Sequence, residues 1–553
     1  MASVEVRTMI KSSRTLAELS RLPLRRLTAR PQAYRRLHNP TAAPSKRNSV
    51  RDWAVAVFGI GAGIGGLYAY QHWDGSIFSV VRAESGKVDR KQGGKISRKD
   101  LERHSSKDDL WVAIDGTVWD VTDFLGQHPG GSQVLIDHAG KDVTTLFKGI
   151  HPKGTLESNL DASQKIGKLD EEAVQFYANV HNDEDSRIER ARAELLGVDS
   201  IITLGDFEKH AQPLLPISAW DYYSFGADGE HTMRNNSDAY QRVWFRPRVM
   251  RDVTECDLST EILGVKSEVP IYISPTARNG LGQPLGEIAA THGAAKSGVL
   301  QVLSHVASRS LEEVMAAREK GQQVGWQIYM DPDRSKAEAQ IKAAVELGIH
   351  SIWLTVDRQA EPKNLRGLYT KVRTEPAPSD SPLTREMPKV ISPRHDTNLT
   401  WKDVGWIKSL APGLPVVIKG IGAWEDVVLA KENGADAVVL TNHGGRQLNF
   451  VHAPLETLYE LNQNAPHMLR RKDFQVFVDG GVRHGTDVLK ALCLGANAVG
   501  LGRPIIYAIT GWGGEGVERA FMILKHEMEV GMRSLGVTQL DQLGPEYLDC
   551  KKL

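Results

Sequence analysis

The stretch AVVLTNHGGRQL, residues 437–448, runs four apolar residues straight into a polar loop that contains two glycines. A strand that is apolar at every position, not every second one, is buried on both faces, as in a parallel sheet covered by helices. Working outward, the same unit recurs. Apolar runs stand at 271–275, 299–304, 326–330, 351–357, 415–419, 474–479 and 498–502, and with 437–442 they make eight. Segments with apolar residues at helical spacing fall between them, among them 286–297, 311–320, 335–347, 424–433 and 485–494. Eight strand–helix units in one run predict a (β/α)8 barrel, an α/β fold whose chemistry gathers where the strands end.

Those ends are polar: Thr276, Ser304, Gln327 and Tyr329, Thr355 and Asp357, Lys419, His443 and Arg446, Asp479 and Arg483, Arg503. Packing does not account for so many, because each buried polar group requires a partner. The barrel mouth is therefore where a ligand is expected.

The chain has 553 residues, enough for two or more domains, and balances 68 basic against 68 acidic side chains. The balance hides an asymmetry. Residues 1–51 hold 12 Lys/Arg with only Glu5 and Glu18, which leaves 56 basic and 66 acidic residues in the rest. Nucleic-acid binding is not expected of so acidic a body. Cys256, Cys493 and Cys550 lack CxxC spacing, which argues against a disulfide framework, a zinc site or an iron–sulfur cluster. The Arg- and Ser-rich, acid-poor leader reads as a mitochondrial presequence, the alternative being a disordered basic arm. It is followed by WAVAVFGIGAGIGGLYAY at 53–70, an uncharged run just long enough to cross a bilayer. Gly61, Gly63 and Gly66 satisfy GxGxxG, but the polar linker that follows supplies no βαβ unit, so a dinucleotide site is not expected. The expected organisation is a leader (1–51), a sorting or transmembrane segment (52–71), a linker (72–94), a small α+β domain (95–170), a second linker (171–199) and the barrel with its tail (200–553).

Within the small domain stands WVAIDGTVWDVTDFLGQHPGGSQVLIDHAGKDVTTLFKGIHP, residues 111–152. His128 sits in HPGG, a tight turn, and His151 follows 23 residues later. The segment resembles the cytochrome b5 family over about 75 residues. The resemblance implies haem b, with His128 and His151 as axial ligands; a haem held by two histidines has no open position for substrate, so its work is electron transfer.

Residues 200–553 resemble the FMN-dependent 2-hydroxy acid dehydrogenase and oxidase family. The motifs that carry the resemblance are DYYSFGA (221–227), PTA (275–277), QIY (327–329), LTVD (354–357), IKG (418–420), NHGGRQL (442–448), DGGVRHGTD (479–487) and GLGRP (500–504). It implies His443 as the proton acceptor, oriented by Asp357, with Arg446 on the substrate carboxylate and Tyr222 and Tyr329 as substrate tyrosines. It places Lys419 by the flavin pyrimidine ring, and Thr276, Ala277, Ser304, Gln327 and Thr355 along the ring edge. The flavin phosphate falls to Gly481, Arg483, Gly502 and Arg503 in the loops after strands seven and eight, where barrels hold phosphate, and Asp479 of the same DGGVR string is a further cofactor-binding residue. With the haem domain in front, the likeness is strongest to members that oxidise L-lactate and reduce cytochrome c, which implies a tetramer; the basic leader followed by the apolar run is read as an address for the mitochondrial intermembrane space, with anchoring at the inner membrane before processing.

One departure stands out. The family places an active-site arginine seven residues after the LTVD aspartate, where this chain has Asn364 in RQAEPKNLRG; Arg358 and Arg366 are the two candidates to replace it. Ala277 and Val306, which face the substrate side chain in the family, admit lactate without excluding a bulkier acid such as mandelate. An oxidase that returns electrons to oxygen, and a haem carrier with a weakly active barrel, are the competing readings.

Overall fold

The computed structural model describes residues 94–126, 128, 135–136, 138–144, 147, 154–358, 360, 362–374 and 396–553. The basic leader, the apolar run at 53–70 and His151 lie outside the described residues. Among the described residues no helix is long and apolar enough to cross a membrane.

The small domain is built on five strands: β1 (Lys95–Ile96), β2 (Ser105–Ser106), β3 (Asp109–Ile114), β4 (Thr117–Asp120) and β5 (Lys165–Leu169). Their order in the sheet is β1-β5-β4-β3-β2, with β3 and β4 paired antiparallel, Trp111 opposite Asp120 and Ile114 opposite Thr117. Leu110, Val112, Ile114, Trp119, Val121, Ala139 and Leu160 form a core against which Phe124, Leu125, Leu135, Ile136, Val143 and Phe147 pack while staying partly open. A second core, from Leu101, Ala113, Val118, Leu169 and Ala173, closes the other face.

Residues 171–193, expected as linker, form one 23-residue helix. Asp170 accepts from Ala173 N at 2.7 Å and starts it, Glu171 and Glu172 lie in the first turn, and Arg190 and Arg192 in the last, each sign complementing the helix dipole. Its far half grips the barrel domain. Glu184 accepts from Ile217 N at 2.8 Å, and Arg187 donates to Pro213 O and Leu215 O, both at 2.7 Å. The Ile217–Ser224 helix that Glu184 caps carries Tyr222.

Strands β6 (Trp244–Phe245) and β17 (Leu548–Asp549) pair antiparallel and tie the C-terminal tail back, and β7 (Thr260–Ile262) with β8 (Val265–Ser267) makes a hairpin. The eight expected strands are all present: β9 (Ile271–Ile273), β10 (Gln301–Leu303), β11 (Val324–Ile328), β12 (Ser351–Thr355), β13 (Val416–Ile421), β14 (Ala437–Leu440), β15 (Gln475–Asp479) and β16 (Ala498–Leu501). They pair in parallel in chain order, and β16 returns to β9 to close the barrel.

Alternation sorts their side chains. One set, Tyr272, Val302, Trp353, Val417, Val439 and Phe477, fills the interior together with Ile262 of the hairpin. Trp353 stacks on Phe477 at 5.6 Å between centroids, and Tyr272 leans on Trp353 at 5.1 Å. Burying such a side chain contributes roughly 1.5–3 kcal/mol, so this plug is a large part of barrel stability. The other set, including Ile273, Ile352, Ile418, Val438 and Val478, packs outward under the helices. The apolar plug occupies one end of the barrel, and the polar residues are left for the other.

Candidate active site at the barrel mouth

His443 lies just beyond β14 in a left-handed conformation, φ 59°, and Gly444 and Gly445 follow at 66° and 81°. A non-glycine residue there costs of order 1–3 kcal/mol and persists only where neighbours fix it. Here they do: His443 N donates to Thr441 Oγ1 at 3.0 Å, and Gly445 N to Asn442 Oδ1 at 2.8 Å. A Cβ on Gly445 would stand 2.6 Å from Met233 Cα, so glycine is required.

The turn throws the imidazole across to β12. His443 Nδ1 meets Asp357 Oδ1 at 2.9 Å, and Nε2 lies 3.5 Å from Tyr329 Oη. Asp357 is buried, while His443 keeps 20% of its side chain accessible. Burial pulls the His443 pKa down to about 4, against the pull of Asp357 upward. Burial raises Asp357, yet the His443 contact and the nearby Lys419 and Arg358 charges leave it below the usual carboxylate range. The pair is thus a neutral imidazole donating Nδ1–H to an ionised carboxylate, with Nε2 turned to the mouth.

Arg446 Nη2 donates to Tyr222 O at 2.6 Å, and its guanidinium lies 4.0 Å from the Phe225 ring centroid and 5.0 Å from that of Tyr222. Burial lowers its pKa to about 10, so it stays charged at neutral pH. Arg278, which the sequence reading did not single out, lies 5.2 Å over the same Tyr222 ring. Arg503 donates to Tyr223 O, Gly444 O and Phe225 O at 2.9, 2.9 and 2.7 Å, so its side chain ties the 223–225 stretch to the loop that carries Arg446.

A polar belt crosses consecutive strand ends. Gln327 Oε1 accepts from Ser304 Oγ at 3.3 Å and His305 N at 3.1 Å, and its Nε2 donates to Thr355 Oγ1 at 3.0 Å. Thr276 Oγ1 donates to Asn279 Oδ1 at 3.1 Å. Asp479 accepts from Thr441 Oγ1 and, at 3.1 Å, from Ser274 Oγ, and lies 4.0 Å from Lys419 Nζ. Its carboxylate holds Lys419 and the base of the His443 turn in place.

The residues fit a flavin phosphate. Arg483 is paired with Glu208 through Nη2 at 3.1 Å, while its Nη1 is buried without a hydrogen-bond partner among the described residues. Gly481 has φ 83°, and a Cβ there would stand 1.9 Å from Asn236 O. An unpartnered buried guanidinium nitrogen beside a glycine turn suits an anion. They also fit a haem in the small domain: His128 sits edge-on to Phe124 at 5.9 Å, beside the half-open apolar residues Leu125, Leu135, Ile136, Val143 and Phe147.

The loop after β12 carries the departure noted above. Asn364 Oδ1 accepts from Gly367 N at 3.0 Å at the start of the Leu365–Thr374 helix. Arg366 forms a bidentate pair with Glu230 at 2.6 and 2.7 Å. Arg358 instead turns inward, its Nη1 donating to Arg446 O at 3.1 Å. Two buried residues that lacked any sequence signal support these loops. Asn236 exchanges hydrogen bonds with Asn442 at 2.8 and 2.7 Å, and Glu287 accepts from Asn279 N, Ser308 N and Arg309 N at 2.9, 3.0 and 3.1 Å.

A barrel of this topology, with a histidine–carboxylate pair, a buried arginine and an anion cradle at one mouth, is the architecture of a flavin-dependent dehydrogenase. The chain belongs to the FMN-dependent dehydrogenase family, whose model matches residues 211–550, and carries a cytochrome b5-like haem/steroid-binding domain over residues 97–170. It is 42% identical over 457 residues to an L-lactate dehydrogenase (cytochrome) of Wickerhamomyces anomalus and 40% over 470 residues to that of Saccharomyces cerevisiae, covering 82% of this chain and 79% of each relative. A structure of mutant flavocytochrome b2 with pyruvate bound superposes with TM-score 0.62 at 41% identity, covering 67% of this chain and 92% of the other. For (S)-mandelate dehydrogenase from Pseudomonas putida the TM-score is 0.57 at 29% identity, over 64% of this chain and all of the other. FMN and haem are accordingly the cofactors.

Proposed function

We propose that this chain oxidises an L-2-hydroxy acid, L-lactate first among them, and passes the electrons singly through its b-type haem to cytochrome c. The observation that carries the reading is the His443 ring, held by Asp357 at Nδ1 with Nε2 facing Tyr329, on a chain that also bears a haem domain. The relatives of about 40% identity are named for a cytochrome acceptor, and the flavocytochrome b2 structure holds pyruvate, the oxidised form of lactate.

In this reading Arg446 takes the substrate carboxylate in a two-pronged contact, and Tyr222 and Tyr329 flank it. His443 Nε2 accepts the substrate proton, and Asp357 stabilises the imidazolium that results. When bound, FMN supplies the two-electron acceptor. Lys419 would be a fixed cation for the pyrimidine edge; Thr276, Ala277, Ser304, Gln327 and Thr355 would line the ring; Gly481, Arg483, Gly502 and Arg503 would form the phosphate cradle, which Asp479 supports. His128 and His151 would hold the haem iron. The leader and residues 53–70 would direct the protein to the mitochondrial intermembrane space, where the acidic body attracts a basic cytochrome c. A tetramer is part of the same reading.

The test is a rapid-mixing visible spectrum. L-Lactate should bleach the flavin first and then raise the reduced-haem bands, with cytochrome c reduced in turn and more slowly at high salt. Flavin bleaching that ends in oxygen uptake without haem reduction would mark an oxidase, and no bleaching would mark a haem carrier.

A further inference from the structure

Arg358 directly follows Asp357 beyond the end of β12, and its hydrogen bond to Arg446 O joins residues 88 apart in sequence. The bond holds the backbone of the residue whose guanidinium faces Phe225 and Tyr222. The neighbouring candidates are engaged elsewhere, Asn364 at a helix start and Arg366 on Glu230. We propose that Arg358 is a positioning residue of the substrate site: it keeps Arg446 in place and supplies a second fixed positive charge beside the His443–Asp357 pair. The proposal rests on the substrate site assigned above.

A hydroxy acid brings one negative charge, which Arg446 meets. As its proton passes to His443 Nε2, a further negative charge develops on the substrate, and a second cation fixed at the mouth stabilises it without reorganising. The groups around His443 are Asp357 at 2.9 Å, Tyr329 at 3.5 Å, Lys419 and Arg358, with Arg446 on its own loop. Asp357 favours the imidazolium, whereas Lys419 and Arg358 oppose it. Removing Arg358 therefore raises the pH at which His443 takes a proton, and the acid limb of flavin reduction moves up.

The experiment uses the full-length holoenzyme as parent, Arg358→Gln and Arg358→Lys, with FMN and haem absorbance recorded for each. Oxalate is the binding probe, read from the flavin spectrum, and flavin reduction by L-lactate is followed against pH. Arg358→Gln should weaken oxalate about tenfold through loss of a charge-assisted site and move the acid limb upward by roughly half a pH unit. Arg358→Lys should return the limb to the parent position but only part of the oxalate affinity, since an ammonium does not reproduce the guanidinium bond to Arg446 O. Oxalate affinity within twofold of the parent together with an unmoved limb in Arg358→Gln would overturn the proposal. So would equal impairment of both variants in both readouts, which would mean shape and not charge. A parent enzyme that neither binds oxalate nor is bleached by lactate would instead overturn the substrate site itself, a result visible before any variant is compared.

Discussion

Tyr329 and His443, 114 residues apart, bring a phenol oxygen within 3.5 Å of an imidazole nitrogen whose ring is fixed on its far side by Asp357. Only Nε2 is left for substrate, and burial keeps Tyr329 well above the ordinary tyrosine pKa, so it remains a neutral O–H donor. The base and its neighbour are thus chemically distinct at neutral pH. The consequences can be measured.

His443→Gln should cut flavin reduction by L-lactate by roughly 10²–10⁴, the usual contribution of a positioned base. FMN and haem should stay bound, because the ring touches neither proposed cofactor cradle. Stopped-flow absorbance decides it: reduction at near the parental rate would remove His443 from the reaction.

The pH profile follows from burial. His443 accepts a proton only while neutral, and its pKa is drawn down to about 4, so kcat/KM should be level across neutrality and decline as pH falls through about 4. Asp357→Asn keeps an acceptor for Nδ1–H but removes the charge that favours imidazolium, which should slow flavin reduction at least about tenfold. An acid limb near pH 6.5, the ordinary histidine value, would contradict the buried neutral pair.

Arg446→Lys should raise the lactate KM and lower turnover together. A point charge cannot reproduce the paired donors, and it also gives up the contacts with Tyr222 O, Phe225 and Tyr222. Steady-state kinetics with an unchanged KM would exclude Arg446 from carboxylate binding.

Gly481→Ala should lose FMN. Its φ of 83° disfavours any side chain, and the added Cβ would stand 1.9 Å from Asn236 O, so the turn must move and take Arg483 with it. Fluorimetric titration of the apoprotein with FMN should show at least about a tenfold weaker Kd, equivalent to roughly 1.4 kcal/mol. Full-strength binding would place the phosphate elsewhere.

Much of this was legible in residues 437–448 and their repeats. Each apolar run became a barrel strand because a strand buried on both faces declares itself without partners, and the polar ends followed. What the chain did not reveal was set by contacts distant in sequence. The run Arg503–Leu535 is two helices that meet within the loop-like string GWGGEG at Gly513, whose φ of 59° is non-helical, and buried Val517, Phe521 and Leu524 anchor the second of them. Glu287 looks like an ordinary helix carboxylate, yet it gathers three backbone N–H groups from two loops. Arg358 and Arg366 were equal as letters; Glu230, 136 residues earlier, separates their roles. The 171–193 segment is expected as linker, and its grip on 213–217 rests on Glu184 and Arg187, whose partners lie 26 to 33 residues further along the chain.

That grip has a geometric consequence. An unbroken helix transmits phase as well as length: each residue advances the chain about 1.5 Å and turns it about 100°. Deleting one residue between Tyr177 and Asp183, beyond the contacts that Phe176 and Tyr177 make with the small domain, would swing the haem module by more than a quarter turn about the strut. Inserting seven, close to two full turns, would restore its heading but push it outward by about 10 Å. Substrate should bleach the flavin equally well in both, while the handover of electrons to haem should fall in each for a different reason, one of bearing and one of distance.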